Sequence, residues 1–235
     1  MERKEFLKRG FTTALSMAAI APIMKACSKN ADSGSTDNTS GSCTDTPEET
    51  EGPYPTHTPS SLVTSDITSD RKGVPLSINI TVNNSNASCA ALANAIVDIW
   101  HCDADGNYSE YGSTQMQSSD YTSVHFLRGR QTTNTSGLVT FTSIFPGWYQ
   151  GRATHIHVHI YSADGTSLLV TQIAFPADVC NTVYTTATTY YTKGTQDTSN
   201  AEDDIFRDSL AYELATVEGN ITNGYTLTHL ITVAA

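Results

Sequence analysis

The segment Gly137–Ile160 reads GLVTFTSIFPGWYQGRATHIHVHI and decides how the fold of this chain is interpreted. Its first part, Leu138–Ile144, alternates apolar and polar side chains in the way that a half-buried β-strand does. Its last part, Thr154–Tyr161, is a second strand pattern and carries three histidines at alternate positions. Alternate side chains of a strand point to the same side, so these imidazoles share one face. The three are His155, His157 and His159.

Strand patterns recur along the rest of the chain, with turn residues between them. They cover Leu76–Val82, Ala95–His101, Ser167–Phe175 and Tyr225–Val233. Asp164-Gly165 separates two of the runs and predicts a hairpin turn. Only 16% of the residues are charged, which argues against a helical or coiled-coil protein. The sequence therefore predicts an all-β fold, namely a β-sandwich with long loops.

Three segments do not follow the strand pattern. Residues 176–204 have no clear period and predict a long surface loop. Residues 203–217 fit either a helix or a strand of a closing hairpin, and the pattern leaves both open. The acidic string Asp103–Asn107 resembles a calcium loop, but its glycine comes one position too early and the closing Glu is missing. A turn is predicted there instead.

The first 26 residues have the pattern of an export signal. Basic residues precede an apolar run of 14 residues, Phe11–Met24, which is shorter than the about 20 residues of a spanning helix. Ala26 precedes Cys27, and this predicts a bacterial lipoprotein signal that is cut before Cys27, with that thiol lipidated at the cell envelope. Arg3-Lys4 lies where the twin-arginine export pattern has two arginines. The alternative is an ordinary hydrophobic N-terminal helix.

Beyond the signal, composition predicts the domain organisation. Residues 27–45 are almost devoid of apolar side chains and predict a flexible tether, so a single domain is expected over 46–235. An exported chain sits in an oxidising compartment, where one or two disulfides are expected. Four cysteines allow three full pairings, and the sequence does not choose between them. They are Cys43, Cys89, Cys102 and Cys180.

The charge balance excludes one class of partner. The chain has 235 residues, with 13 Lys and Arg against 24 Asp and Glu, for a formal net charge of −11. A nucleic-acid-binding protein needs a basic patch that displaces phosphate counterions. The acidic excess therefore argues against a nucleic-acid partner.

Three histidines on one strand face predict a metal site, because imidazole is the commonest metal ligand in proteins. The carboxylate that a cupin-type ferrous site needs is missing, since Tyr161 and Ser162 stand where it would be. Tyrosines lie close instead, at Tyr108 and Tyr149. A phenol has a pKa of about 10, which a trivalent cation lowers enough for phenolate to bind it. Two phenolates and two imidazoles suit ferric iron.

With these residues the sequence resembles the intradiol ring-cleavage dioxygenases, the family that contains protocatechuate 3,4-dioxygenase and catechol 1,2-dioxygenase. The resemblance extends over nearly the whole chain from Thr46 onward. The predicted export signal and tether of this chain resemble those of an extracellular branch of the family. The family resemblance is carried by TPEETEGPYP (Thr46–Pro55), VDIWHCDADGNYS (Val97–Ser109), FLRGRQTT (Phe126–Thr133), the segment Gly137–Ile160, TQIAF (Thr171–Phe175) and NAEDDIF (Asn200–Phe206).

The resemblance implies a β-sandwich that binds non-haem Fe(III) and cleaves a catechol ring between its two hydroxyls with O₂, giving a cis,cis-muconate-type diacid. It implies that Tyr149 also accepts a catechol proton, that Arg152 stabilises substrate charge and that Gln172 is an active-site glutamine. Tyr54 and Trp148 are expected at the substrate pocket. The implied iron ligands are Tyr108, Tyr149, His155 and His157.

Some roles stay open. His159 either orients a ligand or faces the core beneath the iron. Arg128 and Arg130 either form a salt-bridged scaffold or contact an acidic substrate. Two other functions are alternatives to the dioxygenase: a non-catalytic surface-binding β-sandwich, and a copper or zinc metalloprotein of superoxide dismutase-like or hydrolytic type. The sequence predicts neither the particular catechol nor the oligomeric state.

Overall fold

The computed structural model describes residues 43–235. The predicted signal (1–26), Cys27 and most of the predicted tether lie outside the described residues. Between residues 43 and 235, none of the helices is both long enough and apolar enough to cross a membrane. Most of the regular structure in this range consists of strands in two sheets, which confirms the predicted β-sandwich.

Nine strands and two short α-helices make up the regular structure of residues 43–235, and both α-helices lie in its C-terminal part. In chain order they are β1 (Pro75–Asn84), β2 (Ala90–Ala91), β3 (Ile96–Trp100), β4 (Arg128–Thr132), β5 (Leu138–Ile144), β6 (His155–Tyr161), β7 (Ser167–Ala174), α1 (Ala177–Thr186), α2 (Leu210–Glu213), β8 (Thr216–Asn220) and β9 (Gly224–Val233), with single 3₁₀ turns at Pro59–Ser61 and Ser85–Ala87.

One sheet has the order β2-β1-β9-β8, with β5 also paired to β1, and the other has the order β4-β3-β6-β7. Alternate residues of the second sheet, such as Ile99, Ile156 and Val158, are fully buried against Ile78 and Leu227 of the first sheet. This apolar layer between the sheets is the main core, because burying it removes the largest continuous apolar surface from water.

The intervening residues of the four-stranded sheet form its outer face, which points away from the other sheet. Trp100 on β3 and Gln172 on β7 are the register partners of His157 on β6, so all three side chains lie on this face. They are buried as well, although they do not belong to the sandwich core. Loops therefore cover the outer face, and a buried polar surface results.

The predicted strands are confirmed to within one or two residues at their ends, but the loop predicted over 176–204 is confirmed only from residue 187 onward. Ala177–Thr186 forms α1, and its Cys180, Val183 and Tyr184 are buried. The segment is rich in Thr and Val, which have weak helix propensity, so packing on the core decides its conformation. Residues 203–217 divide into α2 and the first part of β8.

The turn predicted at Asp103–Asn107 is confirmed. The Asp103 carboxylate accepts hydrogen bonds from the backbone N–H groups of Asp105 and Asn107, at 3.1 and 2.9 Å. Its other oxygen pairs with Arg71 at 3.2 Å. These partners occupy the carboxylate that the calcium alternative would have used.

One disulfide forms among the cysteines of residues 43–235. It joins Cys43 to Cys89, whereas Cys102 and Cys180 are free and buried. Cys43 belongs to the segment predicted as tether, so the disulfide ties the end of that segment to the domain beside the 3₁₀ turn that follows β1.

Glu213 on α2 is a buried carboxyl group, and within residues 43–235 only one of its two oxygens accepts a hydrogen bond. Ser209 Oγ donates to its Oε2 at 2.7 Å, while Oε1 has no hydrogen-bond partner among the described residues. Burial, and then the negative charges of Glu49 and Asp208, raise its pKa to about 7. The folded state therefore favours the protonated acid.

We predict that Glu213→Gln flattens part of the pH dependence of stability. Wild-type protein should lose about 1–3 kcal/mol of unfolding free energy, relative to this variant, as the pH rises from about 4.5 to 8. The sign follows because the folded state keeps a proton that the unfolded chain releases. Urea unfolding across this range measures it, with exposed Glu218→Gln as the control. An identical pH slope in wild type and Glu213→Gln would contradict the prediction.

Candidate metal centre and active site

His155 and His157 converge on one point of the outer face. Their Nε2 atoms lie 3.1 Å apart. His155 Nδ1 lies 2.6 Å from the carbonyl oxygen of Ala153, which can only accept, so Nδ1 carries the proton and Nε2 presents a lone pair. Burial holds the pKa of both imidazoles well below the usual value. Both rings are therefore neutral at pH 7, which is the form that binds a metal.

Packing rather than a second hydrogen bond orients the ring of His157. It stacks on Trp100 with ring centroids 5.0 Å apart and planes only 3° from parallel. Gly52 lies against it, with a positive φ of 69°, and a Cβ at that position would come 2.8 Å from Cε1 of the ring. His157 Nδ1 has no hydrogen-bond partner among the described residues. Glycine is thus required at position 52 by the imidazole as well as by the backbone.

Two tyrosines complete this cluster. Tyr108 Oη lies 3.3 Å from His155 Nε2, and the rings of Tyr108 and Tyr149 meet edge to face at 5.8 Å. Gln117 fixes the backbone of Tyr108 by accepting from its N–H at 2.6 Å and donating to its carbonyl at 2.8 Å. Burial raises the pKa of Tyr149 to about 12 and that of Tyr108 well above 10. Without a cation beside them, both phenols are protonated at neutral pH.

These four side chains fit a hard trivalent metal ion. The two imidazole Nε2 atoms already face each other, and the Tyr108 hydroxyl lies beside one of them. Across residues 43–235, no group of three or more His, Cys, Asp and Glu side chains is placed to hold a metal. Tyrosine oxygens are the further donors that this cluster offers, and phenolate oxygen with imidazole nitrogen is a donor set suited to Fe(III).

Arg152 is fixed beside Tyr149 by two partners. Its Nε donates to both carboxylate oxygens of Asp203, at 3.0 and 2.9 Å, and its Nη2 donates to Gln172 Oε1 at 2.7 Å. Its Nη1 lies 3.4 Å from Tyr149 Oη. The Gln172 amide in turn donates to the carbonyl of Thr50 at 2.9 Å. The guanidinium thus reaches the tyrosine while its other edge is immobilised.

Asp203 is a site residue that sequence reasoning missed. Its side chain is fully buried, and besides Arg152 it accepts a hydrogen bond from the backbone N–H of Ala153 at 2.7 Å. It fixes both the arginine and the chain that leads into β6. Its position inside the NAEDDIF motif, Asn200–Phe206, was the signal that could have identified it.

The structure brings Tyr54 to the cluster but not Trp148. The Tyr54 ring stacks on Tyr108 at 4.8 Å and lies 6.4 Å from Tyr149. Trp148 donates from Nε1 to the carbonyl of Gly194 at 2.9 Å, and its ring packs against the sandwich core beneath Lys193. Among the described residues, the Trp148 ring contacts none of Tyr54, Tyr108 and Tyr149, so its place at the pocket wall stays a prediction. Neighbouring residues of an extended chain point to opposite sides, so a Tyr149 side chain that points in turns Trp148 away.

His159 has neither of the expected positions. Its Nε2 lies 2.7 Å from Ser167 Oγ, its Nδ1 lies 2.9 Å from Tyr161 Oη, and Glu51 approaches to 3.3 Å. Both ring nitrogens are thus engaged away from His157, and the side chain is only partly buried. The prediction that it faces the core is wrong, because alternate residues of β6 keep it on the outer face.

Arg128 and Arg130 form the salt-bridged scaffold rather than a substrate contact. Arg130 binds Asp98 through two hydrogen bonds of 2.6 and 2.7 Å. Arg128 is buried behind Tyr108, where it donates to the backbone carbonyls of Tyr54 and Ser109, at 2.9 and 2.6 Å. It thereby joins the loops that carry two of the aromatic rings of the cluster.

Comparisons with known proteins agree with this architecture. A profile of the family described as Dioxygenase matches residues 50–215. Chlorocatechol 1,2-dioxygenase from Rhodococcus opacus is 30% identical over 112 residues, which is 40% of this chain and 41% of that protein. This chain therefore spans about two fifths of the length of that curated relative.

Solved structures match over a larger share. An intradiol ring-cleavage dioxygenase from Tetranychus urticae is 27% identical with a TM-score of 0.71, covering 81% of this chain and 95% of that one. The dioxygenase domain of a carbohydrate-binding fusion protein from Streptomyces sp. SirexAA-E is also 27% identical, with a TM-score of 0.58 and coverage of 80% and 97%.

The two-sheet fold, with tyrosines and histidines gathered on its outer face, is that of a dioxygenase sandwich. Since the family profile covers well over half of the chain, the chain belongs to the intradiol ring-cleavage dioxygenase family. The resemblance that the motifs indicated is thereby confirmed.

Proposed function

We propose that this protein is an intradiol dioxygenase that acts on a catechol. The carbon–carbon bond between the two hydroxyl-bearing carbons breaks, and both atoms of O₂ enter the product, a cis,cis-muconate-type diacid. The observation that carries the proposal is the convergence of His155 and His157, with Nε2 atoms 3.1 Å apart, beside Tyr108 and Tyr149. Membership of the family supports it.

Tyr108, Tyr149, His155 and His157 would hold a non-haem Fe(III). When bound, this ion would supply Lewis acidity that activates the catechol toward O₂. It would also lower the pKa values of the two phenols, which burial raises in the protein alone. The tyrosines can then bind as phenolates.

The remaining site residues position the substrate and its charge. As a phenolate, Tyr149 Oη would take a proton from a catechol hydroxyl. Arg152 Nη1, 3.4 Å from that oxygen, stabilises negative charge as it develops on the substrate. Asp203 and Gln172 hold the guanidinium in this direction, so no reorganisation is needed during the reaction.

The cellular location is a separate proposal that depends on the N-terminal sequence alone. The basic, apolar and Ala26-Cys27 segments support export by a lipoprotein signal, by a twin-arginine-like route, with Cys27 lipidated at the bacterial cell envelope. Metabolic labelling with a fatty acid, compared between wild type and Cys27→Ala, tests it.

The function is tested on iron-loaded protein. We predict a visible tyrosinate-to-iron absorption band and consumption of one O₂ per catechol cleaved. Tyr108→Phe and Tyr149→Phe should each shift or weaken the band and lower kcat/KM by about 100-fold or more, because each removes one phenolate.

Tyr161→Phe is the matched control, since Tyr161 lies on β6 and contacts His159 rather than the cluster. It should keep both the band and the activity. A colourless protein that takes up copper or zinc and leaves every catechol unchanged would contradict the dioxygenase proposal. Unchanged function in both tyrosine variants would instead favour the surface-binding alternative.

A further inference from the structure

The arginines near the candidate active site have their charges compensated within the protein. Arg152 is paired with Asp203 and Arg130 with Asp98, each through two short hydrogen bonds. Both carboxylates are buried. Arg130 therefore offers no uncompensated charge to a second carboxylate, and the Arg152 Nη1 that Asp203 does not use is directed to Tyr149 Oη at 3.4 Å.

The guanidinium of Arg128 also has all of its hydrogen bonds within the protein. Its side chain is not exposed, and Glu110 lies 3.8 Å from its Nε. Its donors are used by the carbonyls of Tyr54 and Ser109 and by the hydroxyls of Thr56 and Ser109, at 2.6–3.0 Å. A substrate group could reach this guanidinium only by displacing those buried partners.

The other basic side chains of residues 43–235 do not supply a free positive charge at the site either. Arg71 pairs with Asp70 and Asp103, and Arg207 pairs with Asp204. Lys193 donates to the carbonyl of Trp148 at 2.6 Å, and its Nζ lies 4.2 Å from the centroid of the Trp148 ring. Lys72 lies on the surface beside Arg71 and Tyr190.

The acidic groups without a basic partner give the surroundings of the site a negative charge. Glu51 directly precedes Gly52, which lies against His157, and its side chain is 47% exposed with its Oε1 3.3 Å from His159 Nδ1. Residues 43–235 hold 7 Lys and Arg against 20 Asp and Glu, a net charge of 7 − 20 = −13. A substrate with an additional negative charge meets repulsion from the domain and, among residues 43–235, no cation that is free to pair with it.

From this arrangement we infer that the substrate is a catechol without an anionic substituent, and that a ring carboxylate is rejected. This inference rests on the proposed function. A neutral ring needs only the aromatic surfaces of Tyr54, Tyr108 and Tyr149, and Arg152 is left for the hydroxyl end. A ring carboxylate would lose hydration without gaining a partner, which is costly in a buried site.

The test compares two substrates that differ in charge but hardly in size. These are 3,4-dihydroxybenzamide and 3,4-dihydroxybenzoate, with 4-methylcatechol as a neutral reference. For iron-loaded wild-type protein, kcat/KM should favour the amide over the carboxylate by about 30-fold or more. The preference should shrink as salt is raised, because salt screens the repulsion. Anaerobic titration of the visible band gives Kd values without turnover and should show the same order.

A charge variant localises the effect. Glu51→Gln should raise kcat/KM for the carboxylate several-fold more than for the amide. Glu218→Gln removes an exposed charge on the other sheet and should leave the ratio unchanged.

The outcomes separate the two proposals. Equal or better kcat/KM and Kd for the carboxylate would overturn this inference and leave the dioxygenase proposal standing. Failure to cleave any of the three catechols, in protein with its full iron content, would overturn the proposed function and this inference with it.

Discussion

Iron binding should be lost in His155→Ala and in His157→Ala and retained in His159→Ala. Each of the first two changes removes one of the two Nε2 atoms that face each other at 3.1 Å. Only three of the four proposed donors remain in either variant, and two of these three are tyrosines. We expect iron retained after gel filtration to fall by at least about tenfold, since even partners of metal ligands change affinity by that much.

His159→Ala is a demanding control because His159 lies on the same face of the same strand. Its ring nitrogens contact Ser167 and Tyr161 instead of the cluster. Metal analysis, the visible band and the thermal unfolding temperature should be measured on all three variants. Full iron content in His157→Ala, or loss of iron in a folded His159→Ala protein, would contradict the assignment of the donors.

The second large effect is expected for Asp203→Asn, which should lower kcat/KM for catechol by about 100-fold while the iron content stays near that of wild type. The change removes the charge that pairs with Arg152 and one of the oxygens that fix its Nε. A guanidinium displaced by about 1 Å from Tyr149 loses much of its stabilising effect on the reaction. The loss should appear mainly in kcat, because Arg152 acts on charge that develops after binding.

Asp98→Asn separates positioning from simple destabilisation. Asp98 also pairs with an arginine, since Nε and Nη2 of Arg130 each donate to one of its oxygens, and both Asp98 and Asp203 are buried. Both variants should therefore lose unfolding free energy, by about 2–4 kcal/mol. Only Asp203→Asn should lose kcat in assays run well below the unfolding temperature. Similar losses of kcat in the two variants would show that Asp203 acts through stability alone.

Most of the fold could be predicted because strands with one face in the core have a two-residue period that is visible in the sequence. Leu138–Ile144 is the clearest case, where the predicted and observed bounds coincide. The helix Ala177–Thr186 could not be predicted in this way. Its residues have weak helix propensity, and it forms because Val183 and Tyr184 pack on the core.

The candidate site was predictable to a similar extent and for a related reason. His155 and His157 share a face by the strand period alone, and the family motifs indicated Tyr108, Tyr149, Arg152 and Gln172 as their neighbours. Trp148 differs from them, because adjacent residues of an extended chain point to opposite sides and Tyr149 points into the cluster. The choice of Cys43–Cys89 among the cysteine pairings likewise depended on which loops meet in space.

The sequence by itself determined the sandwich and the shared face of His155 and His157, because local periodicity specifies which side chains of a strand point to the same side. The family motifs added Tyr108 and Tyr149, which lie on loops, as the other proposed donors. Only the tertiary structure decided the charge environment of these donors. Arg152 pairs with Asp203, which lies 51 positions further along the chain, and Arg130 on β4 pairs with Asp98 on the adjacent strand β3. Ion pairing depends on the distance between charges in space, and no local pattern encodes that distance. The arginines that looked available to an acidic substrate are for this reason part of the scaffold.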